Sequence, residues 1–291
     1  MRQLLEVGNV TLSGATLVPA NATLGVLLAA LLLGAAAVAG WFHLDPHPHK
    51  SRAREILVAG FRAAVQLAVV SVVIAWAVKS VRGLLVFLVV MFVVAVRTAG
   101  RRVTDNHTWW LTAAPIAAGV VPVVAALLVT GLVPLKGVAL IPVTGILIGG
   151  ALTVTVLAGR RALDELSQRR GEVEAAMALG LSNRDARMEI ARPAASDALL
   201  PGLDQTRTVG LVTLPGAFVG MLLGGAGPVR AGAVQLFVLI ALMAVQAIAV
   251  AVTLELVARH HLYRPAPDVH TGSPRKARKF LKVPTPSRPR E

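Results

Sequence analysis

Few residues in this 291-residue chain could do covalent chemistry. There is no cysteine, which excludes disulfides, thiolate metal sites and a thiol nucleophile. No G-x-x-x-x-G-K-[ST] loop is present to cradle a nucleotide phosphate, and neither G-x-S-x-G nor H-E-x-x-H occurs. The histidines (His43, His47, His49, His107, His260, His261 and His270) all fall in or beside expected loops. His47 and His49, separated by Pro48, are the one pair with metal-like spacing. The competing reading is a pair of solvated loop side chains, so metal ligands stay unassigned.

Polar residues inside apolar runs are more informative. Arg62 and Gln66 are four residues apart and share one helical face. An arginine in hydrocarbon is costly, so it faces a cavity or partner, or it snorkels to the head groups. Gln235 and Gln246 are eleven residues apart, close to three helical turns, and share a face for an interhelical bond or a path lining. Pro142 precedes Gly145 and Gly149, and Pro215-Gly216 precedes Gly220 and Gly224. Proline kinks a helix and spaced glycines let another approach closely, so these positions suit helix packing or a bending translocation path.

The elements that must position these residues are membrane spans. The chain is 55% hydrophobic and 15% charged, with mean hydropathy +0.70, whereas soluble domains carry roughly 25% charged residues. Apolar runs predict an all-α integral membrane protein with about seven spans: 21–42, 56–78, 83–97, 109–130, 138–158, 208–226 and 229–258. The first run is longer than the apolar core of a signal peptide, although Ala37-Val38-Ala39 resembles a cleavage site.

Charge sets an expected orientation. With the N-terminus outside, the inner segments hold 23 of the Lys and Arg residues and the outer segments five, as the positive-inside rule requires. The C-terminus is then inside. Residues 1–20 read as an extracytoplasmic N-terminus and 21–262 as the transmembrane domain. Within it lies a cytoplasmic loop over 159–207. Residues 263–291 read as a basic, disordered tail, either solvated or resting on anionic lipid. The net charge of +14 is explained this way without nucleic acid.

The inner loop contains EAAMALGLSNRDARMEIARP, Glu174 to Pro193. Ala175, Ala176 and Ala178 favour helix, and Gly180 suits the left-handed turn past a helix end. Ser182 with Asp185 three residues on predicts a cap that starts a second helix, and Pro193 either ends that helix or opens the next. The expected shape is helix, break, helix.

This spacing resembles the E-A-A-x3-G-x9-I-x-L-P motif of ABC-transporter permeases. Glu174, Ala175, Ala176, Gly180, Ile190 and Pro193 match, and Arg192 stands where leucine is usual. FRAAVQLAVV (61–70), IPVTGILIGGAL (141–152) and TVGLVTLPGAFVGMLLGGAGPVRAGAVQ (208–235) resemble the FetB-type permeases, a branch named for iron export with plant relatives linked to aluminium tolerance. Where Gly150 stands, that branch often has asparagine. The resemblance implies that residues 174–193 dock on a separate ATPase subunit that carries ATP and Mg. It also implies a permease homodimer in the inner (plasma) membrane, a metal ion such as iron or a metal-linked solute as cargo, and no enzyme site or cofactor in this chain. The rival reading is a stand-alone secondary transporter or channel, which calls for intramembrane acids and inverted repeats. Neither is evident in the sequence.

Overall fold

The structure is a computed structural model that describes residues 22–43, 51–131 and 137–264. Residues 1–20, His47, His49, His270 and the tail from residue 265 lie outside the described residues. The protein is an all-α integral membrane protein: among the described residues, six helices are long and apolar enough to cross a membrane. In chain order the helices are α1 Ala22–Trp41, α2 Arg52–Ala77, α3 Val81–Val103, α4 Ala113–Val129 and α5 Gly137–Gln168. They continue as α6 Arg170–Ala178, α7 Asn183–Ser196, α8 Leu200–Thr208, α9 Gly216–Leu223 and α10 Pro228–Ala258. A 3₁₀ turn, His107–Thr112, leads into α4, and a second, Asp197–Leu199, joins α7 to α8.

The chain divides into two compact units, 1–76 and 77–291. In the first, α1 and α2 meet where glycine removes bulk. A β-carbon at Gly60 would lie 2.5 Å from Leu32 Cδ1, and one at Gly40 would lie 3.9 Å from Ala53 Cβ. These pairings run the two helices antiparallel.

In the second unit, α5 and α10 form the centre. A β-carbon at Gly150 would lie 2.2 Å from Leu242 Cδ1, and one at Gly159 would lie 3.5 Å from Thr253 Cγ2. The constant offset means that α5 and α10 run parallel. Helix α3 is parallel to them, with Gly145 against Met91 and Gly159 against Val103. Hence the C-terminal ends of α3, α5 and α10 gather at one end. There the Thr104 hydroxyl and the Asn106 amide each donate to the Tyr263 carbonyl, both at 2.8 Å. Arg160 Nε donates to the Arg102 carbonyl at 2.6 Å, and Arg264 pairs with Asp164.

Because α5 and α10 are parallel, the chain must return between them. The return path follows α10 in reverse: Arg184 meets Glu255, Gly202 meets Gln246 and Gly232 meets Phe218. From residue 232 to residue 255 a helix rises ~35 Å, enough to cross ~30 Å of hydrocarbon. Close approach is allowed by Ala186, Ala191, Ala195, Ala198 and Gly202, all buried.

The expected single helix over 208–226 does not form. Helix α8 ends at Thr208, the chain unwinds, and α9 covers only Gly216–Leu223. Gly210 has φ 79°, and the residue before a proline is disfavoured in helix. Pro215 therefore caps α9 rather than kinking a longer helix, at φ −64° and ψ 147°. Hydropathy is indifferent to this break. Gly220 meets nothing within 4 Å, and Gly224 only its own helix. That pair does not serve as a packing stripe here.

Candidate functional site

The polar end of the second unit carries the segment singled out from its spacing. Helix α5 continues beyond the apolar run to Gln168 and breaks at Arg169, which donates hydrogen bonds to Glu165 (2.9 Å) and Glu172 (Nε, 2.7 Å). Helix α6 follows, with Glu174, Ala175 and Ala176 in its second half. It ends in a Schellman turn: Gly180 N–H donates to the Met177 carbonyl at 3.0 Å and Leu181 N–H to the Ala176 carbonyl at 3.2 Å. Gly180 has φ 98°, a region that penalises a β-carbon.

The next helix is fixed from its first residue. Ser182 Oγ accepts from Asp185 N–H at 3.1 Å and donates to Asp185 Oδ2 at 2.7 Å. The Ser182 hydroxyl, then the Arg184 guanidinium, hold the Asp185 carboxyl below the usual carboxylate range. Pro193 neither ends α7 nor opens the next helix. It sits inside the helix, three residues before its end, and its carbonyl accepts from Ser196 Oγ at 2.7 Å. The departure from the motif at Arg192 falls on the exposed side, with Nη1 3.5 Å from Glu189 Oε2.

This element presents apolar surface. Leu179 is 84% exposed, and Met177 and Leu181 are exposed beside it. Glu174 and Ala175 are exposed, Ala176 and Ile190 half-buried. Behind α6, a cavity of about 500 Å³ is lined by Arg170, Glu174, Asn183, Arg187, His260 and Arg264, among others. Arg187 Nη1 donates to His260 Nδ1 at 2.6 Å, and the His260 ring stacks on Tyr263 with centroids 4.8 Å apart. Burial, then the Arg187 charge, push the His260 pKa below its ordinary value.

Arg184 ties this element to the membrane helices, donating from Nε to Glu255 Oε1 at 2.8 Å and from Nη2 to Oε2 at 2.6 Å. Residues 71 positions apart give no periodic signal, so the pairing was invisible in the sequence.

The other singled-out residues are dispersed. Arg62 and Gln66 lie on exposed surface of α2, in the first unit. Pro142 is exposed within α5, and Gly145 packs against Met91. Gln235 and Gln246 are both buried on α10. Gln246 faces Gly202, where a β-carbon would lie 2.1 Å from its Oε1. Gln235 lines a cavity with Pro215, while Gly216 opens α9. Gly150 leaves room for the Leu242 side chain, whose end would have to turn aside for an asparagine at that position. Among the described residues, no cluster of His, Asp and Glu could hold a metal ion, and the buried polar residues are threonines and these two glutamines.

The bundle and its polar end correspond to a known sequence family. The model of an uncharacterised protein family, UPF0014, matches residues 23–262. The chain belongs to the UPF0014 family. It is 35% identical over 195 residues to the UPF0014 membrane protein STAR2 of Oryza sativa subsp. japonica, covering 65% of this chain and 67% of that one. It is 31% identical over 188 residues to the protein ALUMINUM SENSITIVE 3 of Arabidopsis thaliana, covering 64% and 69%. It is 28% identical over 194 residues to FetB of Escherichia coli (strain K12), named a "Probable iron export permease protein", covering 64% and 73%. No solved structure matches. The UPF0014 match runs from α1 to the end of α10, the α6–Gly180–α7 segment included.

Proposed function

We propose that this protein is the membrane-spanning subunit of an ABC transporter, working as a homodimer with two separately encoded ATPase subunits that carry ATP and Mg. The observation that carries the reading is the α6–Gly180–α7 element. It is locked by a Schellman turn and a serine cap, exposes Leu179, and is joined to α10 by Arg184. An exposed apolar turn on a rigid helical pair suits docking into a cleft of a partner. The motif resemblance supports an ATPase as that partner, and FetB's name supports iron or a metal-linked solute as the cargo. ATP binding would then pull the docked element, and the Arg184–Glu255 link would pass the motion to α10.

The same reading sets the Arg-rich end in the cytoplasm of a cell whose plasma membrane holds the protein. Six continuous helices and one broken return make seven passes, with the N-terminus outside. Reporter fusions at Glu6, near Lys136 and after Tyr263 check it: an external signal from the last overturns the orientation. Co-purification with the ATPase and ATP-driven flux in vesicles check the transporter reading. No ATPase bound, with flux persisting without ATP, overturns it in favour of a stand-alone transporter.

A further inference from the structure

The break between α8 and α9 lies beside the first turns of α10, along residues 232–239. Val209, Gly210, Leu214, Pro215 and Phe218 form a cavity of about 180 Å³ with Gln235 and its α10 neighbours. Its backbone is unusual for this depth. Thr208's carbonyl accepts from Leu211, Val212 and Thr213 N–H, and Thr213's carbonyl accepts from Gly210 N–H. Among the described residues, no backbone hydrogen bond reaches the carbonyls of Val209, Gly210, Leu211 or Val212. In hydrocarbon such groups go unsatisfied, and irregular backbone at membrane depth is tolerated where it is buried in protein or lines a water-filled cavity. Burial is not the case here: Leu211 is 89% and Val212 79% exposed. Gln235 adds a second orphan, since it is 6% exposed and its Oε1 has no hydrogen-bond partner.

We propose that this cavity is a solute-binding site on the translocation path. Discontinuous membrane helices are where transporters place such sites. Apart from the backbone of the break, the polar group in the lining is the Gln235 side-chain amide, and no charged side chain is present, which selects the ligand class. It takes a small uncharged organic solute with an apolar body and a polar group that pairs with the Gln235 amide. The volume equals that of about six waters, so the ligand is a small molecule or the organic part of a metal complex. With no charged side chain in the lining, neither a bare metal cation nor a free anion finds charge compensation. This rests on the transport reading above and narrows its cargo.

The chain has no cysteine, so single cysteines report without background. Leu214→Cys, on the cavity wall, is labelled with a membrane-impermeant maleimide, and Ile240→Cys, on the exposed side of α10, serves as control. Leu214→Cys should react severalfold faster. Butanamide and acetohydroxamic acid should slow it severalfold, whereas ferrous chloride and sodium phosphate should not. Adding Gln235→Met, which keeps length and loses the amide, should remove the protection, and Gln235→Asn should retain part of it. Equal labelling at both positions overturns the aqueous cavity. Protection by ferrous ion or phosphate alone, no protection at all, or protection unchanged in Gln235→Met overturns the ligand class. The labelling needs no ATPase, so it can fail while the ATPase still co-purifies, and succeed where it does not.

Discussion

Arg184 and Glu255 join the first turn of α7 to the last turn of α10 through two parallel hydrogen bonds of 2.8 and 2.6 Å. Arg259 donates to the same carboxylate at 2.5 Å. The pair is part-exposed, so it contributes little to stability, but its fork geometry fixes orientation. Arg184→Ala is therefore expected to leave the thermal midpoint nearly unchanged and the ATPase bound, while ATP hydrolysis no longer tracks flux. Arg184→Lys, which keeps charge but loses the fork, should restore little. Wild-type coupling in Arg184→Ala would show that the link is not a transmission element.

Gly180 is strained for any other residue by its φ of 98°, although nothing lies within 4 Å of the space a β-carbon would take. The cost of Gly180→Val is thus conformational, roughly 1–2 kcal/mol, and confined to the turn. Insertion should be normal and ATPase co-purification reduced. Ala176→Trp, half-buried beside the turn, should do the same by filling space. Undiminished co-purification with both variants would rule out docking at residues 174–193.

Two buried glycines should differ in what their replacement costs. At Gly100 a β-carbon would lie 2.2 Å from the Trp109 carbonyl oxygen, which is backbone and cannot swing aside. At Gly202 the obstacle is the end of the Gln246 side chain. Gly100→Ala should lower stability by about 1–3 kcal/mol, and no neighbouring side-chain change should rescue it. Gly202→Ala should cost less, and Gln246→Ala should recover it. Thermal unfolding of the purified protein in detergent compares the four proteins.

His260 supplies a pH dependence. Its folded-state pKa lies below the ordinary 6.5 because of burial and Arg187. The folded state therefore binds fewer protons than the unfolded one in this range. Stability is full above about 6.5 and falls as pH drops through and below it. The thermal midpoint should decline between about pH 7.5 and 5.5, and His260→Gln should flatten that slope. An unchanged slope would exclude the Arg187–His260 contact as its origin.

Arg62 is exposed in the middle of an apolar helix. If it faces the translocation path, Arg62→Leu should insert normally, since leucine suits lipid better, and lose flux. Retained flux would mark the arginine as a snorkelling residue, and Gln66→Leu would then be silent as well.

The sequence by itself determined what depends on neighbours along the chain. Length and hydropathy identified five of the expected spans before residue 160 and the last one, since a run of about twenty apolar residues has few other places to go. The Gly180 turn and the Ser182–Asp185 cap were legible because each is closed by hydrogen bonds within five residues. The break at 209–215 was missed because apolar residues satisfy a hydropathy window whether or not they are helical. Only tertiary structure revealed that the stretch from Arg184 to Phe218 climbs along α10, that Gly202 makes way for Gln246, and that Arg184 reaches Glu255. Those contacts join residues tens of positions apart, and their cause is the parallel course of α5 and α10, which forces a return path and decides what lies beside it.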